Sequence, residues 1–160
     1  TTFVITIPFK INEDAARDEE KQDEVTASIK GLNILLVEDN ELNMEIAEFV
    51  IQSEGASVVK AWNGQEAVEA FEKSASGEFD AILMDVMMPV MNGYEATKMI
   101  RSMDRSDAKK IPIIAMTANA FSEDIRHSLT AGMNAHIAKP VDMKLLITMI
   151  NELKETYERL

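Results

Sequence analysis

Five side chains in this sequence could together handle a phosphoryl group: Glu38, Asp39, Asp85, Thr117 and Lys139. Each stands at the C-terminal end of a short apolar run, in LNILLVEDN, DAILMDVMMP, IPIIAMTAN and AHIAKPV. Three carboxylates crowded at one place repel one another. At ~4 Å and an effective dielectric of about 20, each pair costs roughly 4 kcal/mol. A cation must relieve that repulsion, or one carboxyl group must take up a proton. An all-oxygen ligand set with room for water suits Mg2+, whereas zinc would call for His or Cys ligands that this group lacks. An Asp carboxylate can attack phosphorus and form an acyl phosphate once the charge on the transferred group is neutralised. Asp85 ends the central apolar run and is the candidate nucleophile, while Glu38 and Asp39 sit together where a metal cradle needs them. Lys139 would bring a positive charge to a phosphoryl oxygen and Thr117 a hydroxyl donor.

Taken singly, these residues have plainer readings. Acids after a strand suit the dipole of the helix that follows, an Asp at a strand end commonly caps a turn, and Lys-Pro commonly marks an exposed loop. Their joint placement on four separate runs is what points to chemistry. That placement needs a scaffold bringing the four ends to one edge. LNILLV and AILM have strand length without alternation, as expected of parallel strands buried on both faces. In open α/β sheets, ligands bind beyond the carboxyl ends of the strands, where strand order reverses.

From Gly31 onward the signals alternate between strand and helix. LNILLV precedes a helical pattern in which Leu42, Ile46, Phe49 and Val50 share an apolar face, stopped by Gly55. SVVKAW, DAILMD, IPIIAMT and AHIA supply four further strands. Asn63 and Asp142 are placed to cap the second and last helices, Asn92 and Gly93 turn into the third, RSDAKK reads as a polar loop, and another helix spans 122–130. Five βα units predict an α/β three-layer sandwich, with a five-stranded parallel sheet and five helices. Ahead of it, residues 1–11 (TTFVITIPFKI) read as one strand interrupted by Pro8. Residues 12–30, with seven acids and three bases, read as an acidic linker.

The chain has 160 residues, a net charge of −12 and no cysteine. The charge argues against nucleic acid and anionic membranes as partners, and the absence of cysteine fits a reducing compartment. No apolar run has the length of a membrane span. These features place the chain in the cytoplasm, without direct membrane contact, although a longer parent could be anchored elsewhere. The eleven methionines read as adaptable core fillers.

From about Leu32 to Leu160 the chain closely resembles response-regulator receiver domains, through VEDN, LMDVMMPVMNG, Thr117-Ala118 and Lys139-Pro140. The resemblance implies the flavodoxin-like strand order 2-1-3-4-5 over residues 31–160. It also implies Asp85 as phosphoacceptor and Mg2+ as cofactor, held by Asp39, Glu38, Asp85 and the backbone carbonyl of Met87. Lys139 and Thr117 act on the phosphoryl group, and Lys139-Pro140 resembles the family's cis peptide. The switch pair would be Thr117 with the residue three before the lysine, which here is His136 rather than the usual Tyr or Phe. Met87 and Asn119 fill two variable positions that modulate loss of the phosphoryl group. An apolar Met87 cannot orient an attacking water, which implies a long-lived phosphoryl-aspartate.

TTFVITIPFKI resembles the last strand of a histidine-kinase ATP-binding domain. The implied parent is a hybrid sensor histidine kinase (an ATP:protein-histidine phosphotransferase), of which this chain carries a remnant strand, the linker and the receiver but not the ATP site. Its implied function is Mg2+-dependent transfer from a kinase phosphohistidine domain to Asp85 and onward to a histidine phosphotransfer protein. Such a partner would dock beside the first helix, at Asn40, Asn43, Met44 and Ala47. Three alternatives stay open: a receiver that only gates its own kinase, a non-phosphorylated interaction module, and an Asp-nucleophile hydrolase. The hydrolase is the weakest of these, because the apolar Val86 and Met87 leave no second acid after Asp85.

Overall fold

The computed structural model describes residues 28–118 and 122–158, so the strand expected over 1–11 and most of the linker expected over 12–30 lie outside the described residues. Five strands, β1 (Asn33–Val37), β2 (Ser57–Ala61), β3 (Ala81–Asp85), β4 (Ile113–Thr117) and β5 (Ala135–Ala138), form one parallel sheet in the order β2-β1-β3-β4-β5. They alternate with five helices: α1 (Glu41–Ser53), α2 (Gly64–Lys73), α3 (Gly93–Ser102), α4 (Ser122–Ala131) and α5 (Met143–Glu158). The expected polar loop after α3 contains a short 3-10 turn, Asp107–Lys109.

The period-2 geometry of the strands divides the core into two layers. Leu35, Val37, Ile82, Met84 and Ile113 face a layer built with Phe71 of α2 and Ile100 of α3. Ile34, Leu36, Leu83, Ile114 and Met116 face the other layer, with Met44 and Ile51 of α1 and Leu146 and Ile150 of α5. With both faces covered, β3 and β4 are buried along their whole length, which is why their sequences lack alternation.

Helix starts follow side-chain chemistry. Asn40 Oδ1 accepts from Asn43 N, Asn63 Oδ1 from Glu66 N, and Asn92 Oδ1 from Glu95 N, while the Glu95 side chain accepts from Asn92 N to complete a capping box. Asp142 caps α5 by accepting from Leu145 N.

The reading of α1 needs correction. Leu42, Ile46 and Phe49 do not face the core: they are 64%, 53% and 74% exposed, and Val50 is half-buried at the edge of a crevice toward α5. The inward stripe is Met44, Ala47 and Ile51, spaced i, i+3, i+7. The helix therefore carries apolar residues on two sides, and only the Met44 stripe meets the sheet. Met44, fully buried, is accordingly not a surface residue for a partner.

Away from the site, Arg105 and Asp107 hold the turn after α2. Arg105 lies 4.4 Å over the Phe71 ring and donates to the Phe71 carbonyl in the last turn of α2 and to the Ser74 and Ala75 carbonyls just beyond it. Asp107 accepts from Arg105 and from Gly77 N. The Arg105 hydrogen bond holds the Asp107 carboxyl down at about 2. A depressed carboxyl stabilises the fold above its unfolded value of 3.8 and loses that contribution as pH falls through about 2. Asp107→Ala is expected to cost ~1–2 kcal/mol in urea unfolding at pH 7. The difference from the parent chain should shrink as unfolding is repeated from pH 5 toward pH 2; a difference independent of pH would contradict this account.

Candidate functional site

The ladder register brings the reactive ends together. Val37 pairs with Met84, Asp85 with Met116, and Thr117 with Ala138, so the residues at and beyond these positions lie at one edge. Beyond β1 come Glu38 and Asp39; Asp85 ends β3, Thr117 ends β4, and Lys139 follows β5. A cleft at this edge is lined by all five, together with Met87, Asn43, Tyr94 and His127. The site falls between β1 and β3, where the strand order reverses.

Main-chain contacts fix the supporting loops. Glu38 N donates to Ala61 O, Val86 N to Met116 O, Gly93 N to Val86 O, and Lys139 N to Thr117 O. The Lys139-Pro140 peptide is cis. Glycine is needed where α3 meets β3: a Cβ on Gly93 would stand 2.2 Å from the Asp85 carbonyl oxygen. Gly64, at the start of α2, is likewise pressed on the Met91 carbonyl and donates its N–H to it.

Glu38, Asp39 and Asp85 each present a carboxylate oxygen, and these atoms lie within 4.8 Å of one another. Glu38 and Asp85 are buried, whereas Asp39 is exposed. Lys139 Nζ bridges the two buried acids, 2.5 Å from Glu38 Oε2 and 2.7 Å from Asp85 Oδ2. Their other oxygens are also held: Glu38 Oε1 accepts from Asn43 Nδ2 at 2.9 Å, and Asp85 Oδ1 from Met87 N at 3.2 Å. Burial pushes the Asp85 carboxyl above its ordinary range and the Glu38 charge adds to this, against the opposing pull of Lys139 and the Met87 N–H. Burial works against the Lys139 ammonium, but hydrogen bonds and charge from Asp85 and Glu38 outweigh it and hold its pKa above the ordinary value.

The remaining expected site residues take simpler places. Thr117 is 7% exposed at the strand end. Met87 is 79% exposed, so its backbone, not its side chain, belongs to the site. His136 is half-buried in β5, paired with Ala115. His127 is exposed and sets its ring edge-on to Tyr94 beside the cleft. Asn43 is the residue that sequence reasoning placed only on a docking patch. Its backbone is capped by Asn40 and its amide orients Glu38, a role signalled only by its position in the first turn of the helix after the acid pair.

A family model described as the response regulator receiver domain matches residues 34–151. Histidine kinase 1 of Arabidopsis thaliana is 35% identical over 156 residues, covering 79% of this chain and 13% of the kinase. Hybrid signal transduction histidine kinase M of Dictyostelium discoideum is 42% identical over 121 residues, covering 75% of this chain and 5% of that protein. The chain thus spans a small part of the curated relatives it matches. Among solved structures, the receiver domain of sensor histidine kinase PA1611 from Pseudomonas aeruginosa PAO1, with a magnesium ion coordinated in its active-site cleft, superposes with a TM-score of 0.69 at 39% identity. That match covers 78% of this chain and 98% of the PA1611 domain. The receiver domain of Saccharomyces cerevisiae Ssk1, solved with the histidine phosphotransfer protein Ypd1, gives a TM-score of 0.68 at 32% identity, covering 79% and 90% of the two chains. In sequence as in strand order and the acid cluster at the sheet edge, the chain belongs to the response regulator receiver domain family.

Proposed function

We propose that this chain takes a phosphoryl group from a phosphohistidine onto Asp85 and passes it to a histidine phosphotransfer protein, as the receiver of a hybrid histidine kinase. The observation that carries the reading is the buried Asp85 carboxylate, 2.7 Å from the Lys139 ammonium and within 4.8 Å of the Glu38 and Asp39 carboxylates. The donor set is all oxygen and anionic, which fits Mg2+, with Glu38, Asp39, Asp85 and the Met87 carbonyl as the residues that would hold it. Bound there, the metal would supply charge neutralisation for the transferred group.

Asp85 then acts as the nucleophile. One of its oxygens forms a bond to phosphorus as the phosphorus–nitrogen bond breaks, and the leaving imidazole keeps the electron pair. Lys139 stabilises charge on a phosphoryl oxygen, and the Thr117 hydroxyl donates to another. The fold brings these groups to one edge, so positioning and electrostatics supply the catalysis. Incubation with acetyl phosphate, followed by intact mass, is expected to give one phosphoryl adduct that needs Mg2+ and is cleaved by hydroxylamine, as acyl phosphates are. No adduct on folded protein would overturn the proposal.

The partner surface follows from the corrected orientation of α1. Asn40 and Asn43 line the cleft, and the exposed Leu42, Ile46 and Phe49 continue from it along the helix. A helical phosphotransfer partner would lay its own apolar face there while its histidine reaches the cleft. Phe49→Ser with Ile46→Ser is expected to slow transfer from phosphorylated Ypd1 about tenfold or more. Labelling by acetyl phosphate should stay unchanged; equal transfer by variant and parent would remove α1 from the interface.

A further inference from the structure

We infer that a second ligand site lies at the edge of the sheet opposite Asp85, a pocket that takes a small carboxylate with an apolar body through Lys110 and the Tyr157 hydroxyl.

Asp80 precedes β3 and Pro112 precedes β4, so both stand at the N-terminal edge. Between them opens a pocket of about 370 Å³, walled by the buried Phe79, Ile111 and Pro112. Two acids also line it, but neither has an oxygen to spare. Asp80 Oδ1 accepts from Lys154 Nζ at 2.6 Å and Oδ2 from Asn33 N at 2.8 Å. Asp107 accepts from Arg105 on both oxygens and from Gly77 N on Oδ2. Each acid thus has its own cation, Lys154 or Arg105. The Lys110 ammonium, by contrast, pairs with no carboxylate among the described residues.

A chain of hydrogen bonds brings a second positive charge to bear. The half-buried Arg101 guanidinium donates to the carbonyls of Gly132 and Ala108 and, at 2.7 Å, to Asn134 Oδ1. Among the described residues it too has no carboxylate partner. Asn134 Oδ1 also accepts from Ile113 N, so the carbonyl end of that amide is fixed and Nδ2 donates to the Tyr157 hydroxyl. The phenol oxygen is therefore an acceptor on this side and keeps its own proton to donate. Hydrogen bonds in series polarise one another. A series that starts at an uncompensated guanidinium makes Tyr157 a stronger donor in the pocket it lines.

An anion matches these groups. The ammonium supplies charge, the phenol a directed donor, and the apolar walls a surface for the rest of the ligand. A metal cation would find both acids taken, and a neutral ligand would leave Lys110 unused. Inorganic phosphate has no apolar body to set against Phe79, Ile111 and Pro112.

An NMR titration of backbone amides with phenylpropionate at constant ionic strength tests this, on the parent chain, Lys110→Gln and Lys109→Gln. Lys109 is the exposed neighbour whose loss changes net charge equally, and it does not line the pocket. Shifts are expected at Gly77, Lys110 and Ile111 and not at Gly93 across the sheet, with a Kd on the order of 1 mM. Lys110→Gln should weaken binding ~5-fold or more and Lys109→Gln by less than about twofold. Phenylpropanamide, the neutral analogue, should bind the parent at least ~5-fold more weakly than the acid. Tyr157→Phe should weaken the acid severalfold and the amide little, a difference that a merely structural role would not produce. Absence of shifts at these three amides, equal binding of acid and amide, or equal weakening in the two lysine variants would overturn the inference. Equal loss of acid and amide binding in Tyr157→Phe would remove the phenol from the site.

Discussion

Asp85→Asn is expected to stay folded, to melt no lower than the parent chain, and to take up no phosphoryl group. The loss of labelling follows from chemistry: a carboxamide oxygen is a poor nucleophile, and no other carboxylate ends the central strand. The stability half is less obvious. Asp85 is 6% exposed beside the Glu38 carboxylate, and burial raises its pKa despite Lys139. A carboxyl raised on folding means that the folded state holds its proton more tightly. Its favourable contribution is therefore full below 3.8 and is lost as pH rises through the raised folded value. At pH 7 the ionised Asp85 works against folding, and Asn removes that cost while leaving Lys139 paired with Glu38. The substitution keeps shape and can still accept from the Met87 N–H. A gain of ~1 kcal/mol, or about 2–4 °C in melting temperature at this chain length, is expected at pH 7 in chelator. Melting curves and intact mass after acetyl phosphate with Mg2+ check both halves. A variant that still carries the adduct would displace Asp85 as acceptor, and one that melts several degrees lower would refute the electrostatic account.

What could be read from residues alone tracks how local the determining physics is. The buried runs of β1, β3 and β4, the Asn63 and Asp142 caps, and the reactive strand ends depend on period and capping, which a sequence carries openly. Strand order is not local; it came from the family resemblance, and the ladders now bear it out. Helix α1 misled because both of its sides are apolar. Leu42, Ile46 and Phe49 make a stripe as long as that of Met44, Ala47 and Ile51, and periodicity alone cannot say which one meets the sheet. That failure is informative, since an apolar stripe the core does not use is available to a partner. In the site, the residue types were legible but their pairings were not. Lys139 lies 101 positions from Glu38, and nothing in the sequence distinguishes a lysine waiting for phosphate from one already bridging two acids.

Gly93→Ala should be among the most damaging single-methyl changes in the described structure, and it should damage chemistry as well as stability. Gly93 opens α3 with a backbone that any residue can adopt, so the constraint is space rather than conformation. Its new methyl would meet the Asp85 carbonyl oxygen at 2.2 Å, the Met84 Cγ at 2.9 Å and the Asp85 carbonyl carbon at 3.1 Å. Two of the three are backbone atoms of the central strand and cannot rotate away. Relief requires the start of α3 to lift, stretching the Gly93 N–H bond to Val86 O, or the end of β3 to shift and carry Asp85 with it. Overpacking of this kind costs ~2–4 kcal/mol. Because a displacement of about 1 Å at a reacting group can cost two orders of magnitude, labelling by acetyl phosphate should slow at least ~10-fold in molecules that remain folded. Gly77→Ala is the informative contrast. Gly77 has φ +77 with no atom within 4 Å of an added Cβ, so its cost is conformational, ~1 kcal/mol, and far from the cleft. Urea unfolding and labelling rates at low temperature should therefore separate the two alanines on both axes. If Gly93→Ala loses stability but labels at the rate of Gly77→Ala, the α3 contact supports the fold without positioning the acceptor.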